Sequence, residues 1–153
     1  MSDYRIEKVR RRVEITLASG RKLEGDMFLQ AFARFRAGPE EPLDVLNEPD
    51  QFLPLKLDSG ELLVVQKAHI AIVSTTLPEG DDVVDAGLVG MHVSITFAHG
   101  EALTGSLFPE VRADRPRLVD FLNSSPLRFF PIFSSDRLYI VATAHIAFAH
   151  PVD

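Results

Sequence analysis

Histidine is the side chain of this sequence best suited to proton transfer or ligand binding near neutral pH, because its reference pKa is about 6.5. The chain contains five histidines: His69, His92, His99, His145 and His150. Two of them, His69 and His145, stand in the same tetrad, Ala-His-Ile-Ala, at 68–71 and 144–147. We expect both to hydrogen-bond across a β-sheet, and the alternative is a ligand-contacting or pH-sensitive site.

Metal and catalytic chemistry have little support in the sequence. No two histidines have the spacing of a metal site with a carboxylate nearby, and there is no cysteine to supply a thiolate. Ser106 follows Gly105 but lacks the Gly-x-Ser-x-Gly turn of a nucleophile elbow. Neither a phosphate loop nor a dinucleotide-binding glycine pattern is present. The sequence therefore predicts no catalytic residue, metal or cofactor, and a protein that is not an enzyme.

One polar pair recurs in the two halves of the chain: Asp44 with Asn47, and Asp120 with Asn123. A short helical turn explains the pair, because Asp accepts backbone N–H bonds where a helix begins and Asn tolerates the left-handed conformation where a helix ends. The alternative is a set of ligand contacts presented from a loop.

Arginine is concentrated in two regions that could bind an anion. The loops before the two polar pairs carry Arg34, Arg36, Arg112, Arg115 and Arg117. Because Asp114, Glu40 and Glu41 are interspersed, we expect a surface of mixed charge. Guanidinium groups suit carboxylates and phosphates, so the alternative is an anion site in which Arg115 and Arg117 are candidate ligand-binding residues. The N-terminal basic patch contains Lys8, Arg10, Arg11 and Arg12, which we expect to form a solvated strand face, with an anionic partner as the alternative. The net charge of −6 and the pI of about 5.3 disfavour general attraction to nucleic acid or anionic lipid.

The sequence repeats itself over a long period. Val13, Ile15, Thr16, Ala18, Gly20, Leu23, Gly25 and Phe28 recur at Val93, Ile95, Thr96, Ala98, Gly100, Leu103, Gly105 and Phe108. The spacing shortens later, where Asn47 and Phe52 correspond to Asn123 and Phe129. Such self-similarity predicts duplication of one unit, with the two copies at 1–78 and 79–153. Units of roughly 60 residues are marginally stable alone, so we expect the halves to pack on each other or on further copies.

Local patterns predict that each copy is built of strands. Val13, Ile15 and Leu17 alternate with polar residues, which is typical of a half-buried strand, and Ser19-Gly20 predicts a hairpin turn. Gly25, inside the return strand, predicts a bulge or strong bend. Segments 52–57 and 129–133 predict third strands, and 62–73 predicts one long bent strand with Leu62, Val64, Ala68, Ile70 and Ile72 on one face. The fold class that we expect is all-β, with one short helical turn in each copy.

These segments resemble a known family of small β-barrels. The first motif of the Sm-like (LSm) family, and more widely of SH3-like barrels, is similar to Val13, Ile15, Leu17, Gly20, Leu23 and Gly25, and the second motif is similar to Val64, Val65, Lys67 and Ile70. The resemblance implies a small, strongly bent barrel in each copy. Where Sm-like RNA-binding proteins keep an Arg-Gly or Lys-His pair, this chain has Lys67-Ala68 and Thr143-Ala144, so no binding residue is carried over. The segment 117–131 also resembles short uncharacterised bacterial β-domains.

The function that we expect is that of a non-enzymatic interaction or regulatory module built from two packed small β-barrels. Its partner would be another protein or a second copy of the chain. The alternative is an Sm-like RNA-binding protein that uses Arg10, Arg11 and Arg12. The N-terminal residues lack the apolar segment of a secretory signal, and no apolar run approaches the roughly 18 residues of a membrane span. We therefore expect a cytoplasmic protein, of a bacterial type, that does not enter membranes.

Overall fold

The computed structural model describes residues 8–33, 38–77, 90–108, 117–124 and 127–152. Its strands are β1 (Lys8–Leu17), β2 (Lys22–Gln30), β3 (Phe52–Lys56), β4 (Leu62–Gln66), β5 (Ile70–Thr76), β6 (Met91–Phe97), β7 (Ala102–Leu107), β8 (Phe129–Ser134), β9 (Arg137–Ala142) and β10 (Ile146–Pro151). Two short helices, α1 (Pro42–Asn47) and α2 (Leu118–Ser124), and two 3-10 turns, Lys67–His69 and Thr143–His145, accompany them. The prediction of an all-β protein is confirmed.

The strands pair into one antiparallel sheet in the order β10-β6-β7-β8-β9-β5-β1-β2-β3-β4. We call β1–β5 with α1 the N-terminal half and β6–β10 with α2 the C-terminal half. Within each half the fifth strand lies beside the first, which is followed by the second, third and fourth. The halves meet where β5 pairs with β9, and β4 and β10 lie at the two ends of this order.

The first hairpin follows the alternation of its sequence but begins earlier than predicted. Val13 and Ile15 are buried, Glu14 is partly exposed, and Gly20 makes the turn with a φ of 93°. Pairing with β2 runs from Lys8↔Gln30 to Thr16↔Lys22. The arginines of the basic patch therefore lie on β1 itself, where Arg10 and Arg12 are exposed and Arg11 is partly exposed.

The prediction of one long strand at 62–73 is wrong, because a 3-10 turn at Lys67–His69 divides it into β4 and β5. The Lys67 N–H donates to Gln51 O at 2.8 Å, and His69 O accepts from the Ala18 N–H at 2.7 Å. The turn therefore carries the chain from β4, which pairs with β3, to β5, which pairs with β1. The predicted apolar face is consequently wrong as well. Leu62, Val64 and Ala68 are exposed at the end of the sheet, whereas β5 is buried from Ile70 to Thr75 because it lies between β1 and β9.

Gly25 forms no bulge with β1, since the register is continuous at Val13↔Gly25. The glycine serves a close approach between strands instead. A Cβ at Gly25 would lie 2.5 Å from Lys56 O, and one at Gly105 would lie 2.7 Å from Phe133 O. Glycine thus lets the backbones of β3 and β8 approach β2 and β7 closely where these strands pair.

The two apolar clusters of the core each contain residues from both halves. The first joins Val13, Ile15 and Leu46 of the N-terminal half to Phe129 and Ile140 of the C-terminal half. The second includes Ala71 and Ile72 of β5 among residues of the C-terminal half. Because each half completes the other's core, burial of the junction residues contributes to the stability of both.

We expect Gly25→Ala to lower the free energy of unfolding by about 1–3 kcal/mol, because its new methyl group would meet backbone that cannot move aside cheaply. Gly90→Ala is the matched control, since a Cβ there would meet only the ring of Phe108, which can rotate. The measurement is urea unfolding followed by far-ultraviolet circular dichroism, as the chain has no tryptophan. Equal losses in the two variants would contradict this account of Gly25.

Candidate functional site at the strand edges

The pairing of β5 with β9, with the contacts that α1 and the 3-10 turns make across it, is called here the central junction. Its ladder runs from Ile72↔Val141 to Thr76↔Arg137. The Leu77 N–H extends the ladder by donating to Asp136 O at 2.8 Å. Backbone pairing along an edge has no sequence preference of its own, so the side chains around the ladder decide which strands pair and in what register.

Asn47 makes the most specific polar contact of the central junction. Its Nδ2 donates to Phe129 O and its Oδ1 accepts from the Phe129 N–H, both at 3.1 Å. The predicted left-handed capping role of Asn47 is wrong, because Ser135 is the only non-glycine residue with positive φ in the described part of the chain. The prediction for Asp44 is confirmed, since its Oδ2 accepts from the Glu41 N–H at 2.8 Å at the start of α1.

Two cationic side chains bind the carboxyl end of α1. Lys67 is buried, and its Nζ donates to Val45 O at 2.6 Å and to Glu48 O at 3.2 Å. Arg128 of the C-terminal half donates to the same Glu48 O at 2.9 Å. Burial lowers the pKa of Lys67, and the nearby Glu48 carboxylate acts in the opposite direction. Lys67 therefore stabilises the helix end on which Asn47 stands.

His145 and Arg137 complete the polar contacts across the junction. The His145 Nε2–H donates to Ala68 O at 2.6 Å, from one 3-10 turn to the other. Arg137 donates through Nε and Nη2 to Ser74 Oγ at 2.8 and 2.6 Å. His145 thus makes a long-range hydrogen bond, as predicted, but the bond joins two 3-10 turns and not two strands of the sheet. His69, for which the same bond was predicted, is exposed.

The two hairpin turns meet in a charged cluster beside the junction. Lys22 Nζ lies 3.1 Å from Glu101 Oε1, which His99 Nε2 also approaches to 3.3 Å. Although burial acts to raise it, the pKa of Glu101 is lowered by hydrogen bonds from Lys22 and His99. The cluster links β2 of the N-terminal half to the β6–β7 turn of the C-terminal half.

Residues of the same type lie unused at the two ends of the sheet. His69, which corresponds to His145, is exposed beside β4, and Asn123, which corresponds to Asn47, is exposed at the end of α2. The recurring histidines and asparagines, His69 with His145 and Asn47 with Asn123, thus fall into two sets. One member of each pair is engaged in the central junction, and the other faces solvent at an end.

Apolar side chains show the same contrast. Phe129, Ile140 and Ile72 of the central junction are 2%, 0% and 2% exposed, whereas their counterparts at the ends, Phe52, Val64 and Phe148, are 49%, 67% and 60% exposed. Leu62 on β4 is 55% exposed. Two outer edges therefore display the apolar residue types that the junction buries.

An open cavity of about 650 Å³ lies between α2 and the β10 edge. Its lining includes Leu118, Leu122, Asn123 and Ala149. A smaller one, of about 360 Å³, lies beside β4 and includes Val64 and His69. The two cavities adjoin the edges that carry the exposed apolar residues, one at each end of the sheet.

The arginines that were predicted to bind an anion mostly contact other groups of the chain itself. Arg12 pairs with Asp58 at 2.6 Å and with Glu24 at 3.3 Å, and these contacts raise its pKa. Arg11 donates to Thr75 Oγ1 and Thr76 O, and Arg10 lies 5.8 Å from the centre of the Phe28 ring.

The contact that the described residues give the Asp120 carboxylate is a bidentate bond from Arg117 at 2.8 and 3.1 Å, and not the predicted bond from a backbone N–H. That bond lowers the pKa of Asp120 and raises the pKa of Arg117. Arg115, together with Arg34, Arg36 and Arg112, lies outside the described residues.

The structure brings together a serine and a histidine that the sequence analysis did not pair. Ser106 Oγ lies 3.0 Å from His92 Nδ1, because the two residues are opposite each other on β7 and β6. The sequence could have indicated this pair, because the hairpin turn at Gly100 sets the register that places His92 opposite Ser106. The pair lies on an exposed face, and the cavities beside α2 and β4 are lined by neither residue. Within the described ranges, no three His, Asp or Glu side chains are grouped so that they could hold a metal ion.

The described residues define an all-β protein with an internal strand junction, in which β4 and β10 are the terminal strands of the sheet. No family model, curated protein or solved structure shows a significant match to the chain. Among the described residues, no helix has the length and apolar character needed to cross a membrane.

We expect Asn47→Ala to lower the free energy of unfolding by about 1–3 kcal/mol, because the buried Phe129 N–H and C=O would lose their partner. Asn123→Ala is the matched control and should change it by less than about 0.5 kcal/mol in dilute solution, where the side chain is exposed. Denaturant unfolding of both variants measures the difference. A similar loss in both, or in neither, would show that Asn47 does not act through the junction.

The charged cluster predicts a pH dependence. The pKa of Glu101 is lower in the folded chain than its usual 4.5, so its ionised contacts stabilise the fold fully above that value and are lost as pH falls through the lowered pKa. We expect Glu101→Gln to be less stable than the unmodified chain at neutral pH, and the difference to vanish in acid. Thermal unfolding across pH measures it, with the exposed Glu61→Gln as control. A difference that persists in acid would assign the effect to packing.

Proposed function

We propose that this chain is a non-enzymatic protein-interaction module and that its binding surfaces are the two outer strand edges, β4 and β10. The observation that carries the proposal is the exposure of Phe52, Leu62 and Val64 at one end and of Phe148 at the other. Their counterparts in the central junction are buried or partly buried. The same residue types are thus placed where an added strand would bury them.

Strand edges expose backbone N–H and C=O groups that can pair with another strand. Soluble proteins usually protect such edges with charges, bulges or a covering segment. β4 instead carries apolar side chains that point to solvent, and His69 follows it with an exposed ring. Addition of a strand to an open edge is a common mode of protein recognition.

The two halves, in this proposal, are copies of one duplicated unit, and the junction between them is an example of the contact that the module makes. The absence of cysteine suits a reducing cytoplasm, where we propose that the module acts.

The Sm-like RNA-binding alternative has weaker support. It relies on Arg10, Arg11 and Arg12, of which Arg11 and Arg12 already donate to groups of the chain itself. The net charge of −6 also opposes general attraction to a polyanion.

Photo-crosslinking in the native host tests the proposal. A photoreactive phenylalanine analogue is placed at position 64 or 148, one on each outer edge, and at position 9 on β1 as an exposed control. We expect protein adducts from positions 64 and 148 and few from position 9. Absence of protein adducts from both edges would overturn the proposal, and nuclease-sensitive adducts from β1 would favour RNA binding.

A further inference from the structure

We propose that the partner at the outer edges is a second copy of this chain, joined head to tail. This inference rests on the proposed function and names its partner. β10 of one copy would pair with β4 of the next, as β5 pairs with β9 inside the chain. The central junction serves as the template, because β10 and β4 hold the same places in their halves as β5 and β9.

The sequence correspondence sets the register of the new pairing. Val73 lies opposite Ile140 in the central junction, so Ala149 would lie opposite Val64 of the next copy. Both Ala149 and Val64 are at least partly exposed in the isolated chain.

A groove and a side chain at opposite ends of the molecule fit each other. Leu46 and Val73 share a core cluster with Phe129, which comes from the other half. Their counterparts, Leu122 and Ala149, line the open cavity of about 650 Å³. The counterpart of Phe129 is Phe52, which is 49% exposed beside β4. Insertion of Phe52 of the next copy would fill the groove and bury the ring.

Polar contacts are matched as well. Asn123 stands where Asn47 stands, so its amide would bond to the backbone of Phe52 in the next copy, as Asn47 does to Phe129. His69 stands where His145 stands, so its ring would donate to the Ala144 carbonyl of the preceding copy. Asn123 and His69 lie at opposite ends of one chain, as head-to-tail association requires.

One charged contact is exchanged for another. In the central junction Arg137 donates to Ser74. The corresponding residues at the ends are Glu61 and His150, both exposed. The acceptor Glu61 takes the place of the donor Arg137, and His150, whose ring can donate, takes the place of the Ser74 hydroxyl. The two groups therefore remain complementary.

Pro151 makes the new pairing shorter than the central one. The Val152 N–H donates to His92 O on β6, so the alternation of the strand directs Pro151 to the outer edge. Proline has no N–H, and its counterpart Thr75 has one. The ladder would therefore extend over Phe148–Ala149–His150 only. We expect an association that is reversible and depends on concentration.

Light scattering with edge variants tests the arrangement. The unmodified chain should form oligomers larger than a dimer as its concentration rises, because a head-to-tail contact is saturated only when a ring closes. Val64→Lys and Phe148→Lys should each be monomeric alone, while an equal mixture of the two should form a dimer, since one variant retains β10 and the other retains β4. Val9→Lys, also exposed, is the control and should associate like the unmodified chain.

Asn123→Ala measures the polar contribution, and we expect it to raise the concentration needed for association about tenfold. Asn47 is unsuitable for this purpose because its loss weakens the fold. No change with Asn123→Ala would contradict the proposed role of its amide.

Engineered cysteines test the register, because the natural chain has none. Ala149→Cys mixed with Val64→Cys should give a disulfide-linked pair on mild oxidation, and Ala149→Cys mixed with Val9→Cys should not. Linkage of Val64→Cys to itself would indicate a two-fold contact between β4 edges and overturn the head-to-tail arrangement.

The two proposals fail in different ways. If the chain stays monomeric at high concentration and the edge crosslinks in cells join it only to other proteins, the second-copy inference is wrong and the interaction module stands. If neither edge gives any protein adduct, both are wrong. Crosslinks from position 64 of one copy to β10 of another support both.

Discussion

Backbone hydrogen bonding at the edges of strands is the constraint on which this structure depends. Every strand inside a sheet has neighbours for the groups on both sides, and a strand at an edge has one row unpaired. β5 avoids this by pairing with β9, which allows it to be buried along nearly its whole length. β4 and β10 are the terminal strands of the described sheet, so each has a row of backbone N–H and C=O groups on its outer side, and both carry exposed apolar residues.

The central junction also explains why the two halves need each other. Phe129 and Ile140 complete the core of the N-terminal half, and Ala71 and Ile72 contribute to that of the C-terminal half. A five-stranded half would expose these side chains to water if it stood alone. The sheet is continuous across the halves because the apolar residues that flank the ladder are shared.

Corresponding residues act differently because they lie at different places in the strand order. Asn47 and His145 have partners across the junction, while Asn123 and His69 are exposed beside the terminal strands of the described sheet. The difference does not come from their immediate sequence, since both tetrads read Ala-His-Ile-Ala. It comes from position in the strand order, and position decides whether a second edge is present.

Several features of the site could be predicted and several could not. Recurrence in the sequence identified Asn47, Asn123, His69 and His145 as residues of interest, but assigned the asparagines to helix ends. The partners of Asn47 and His145 lie 82 and 77 positions away, and no local pattern carries information at that distance. The break at Lys67 was missed for a related reason: alternation of apolar residues continues through a short 3-10 turn, so the turn leaves no signal in the pattern.

The all-β class, the alternation of β1, the turn at Gly20 and the capping role of Asp44 in the first turn of α1 could be read from the sequence, because each depends on the conformational preferences of neighbouring residues. The tertiary structure alone decided which edges pair. Only there does β5 meet β9, and only there does it become visible that β4 and β10 have no second neighbour within the described chain. Strand pairing joins distant segments through backbone groups that all residues except proline share, so it is specified by the complete arrangement of the sheet.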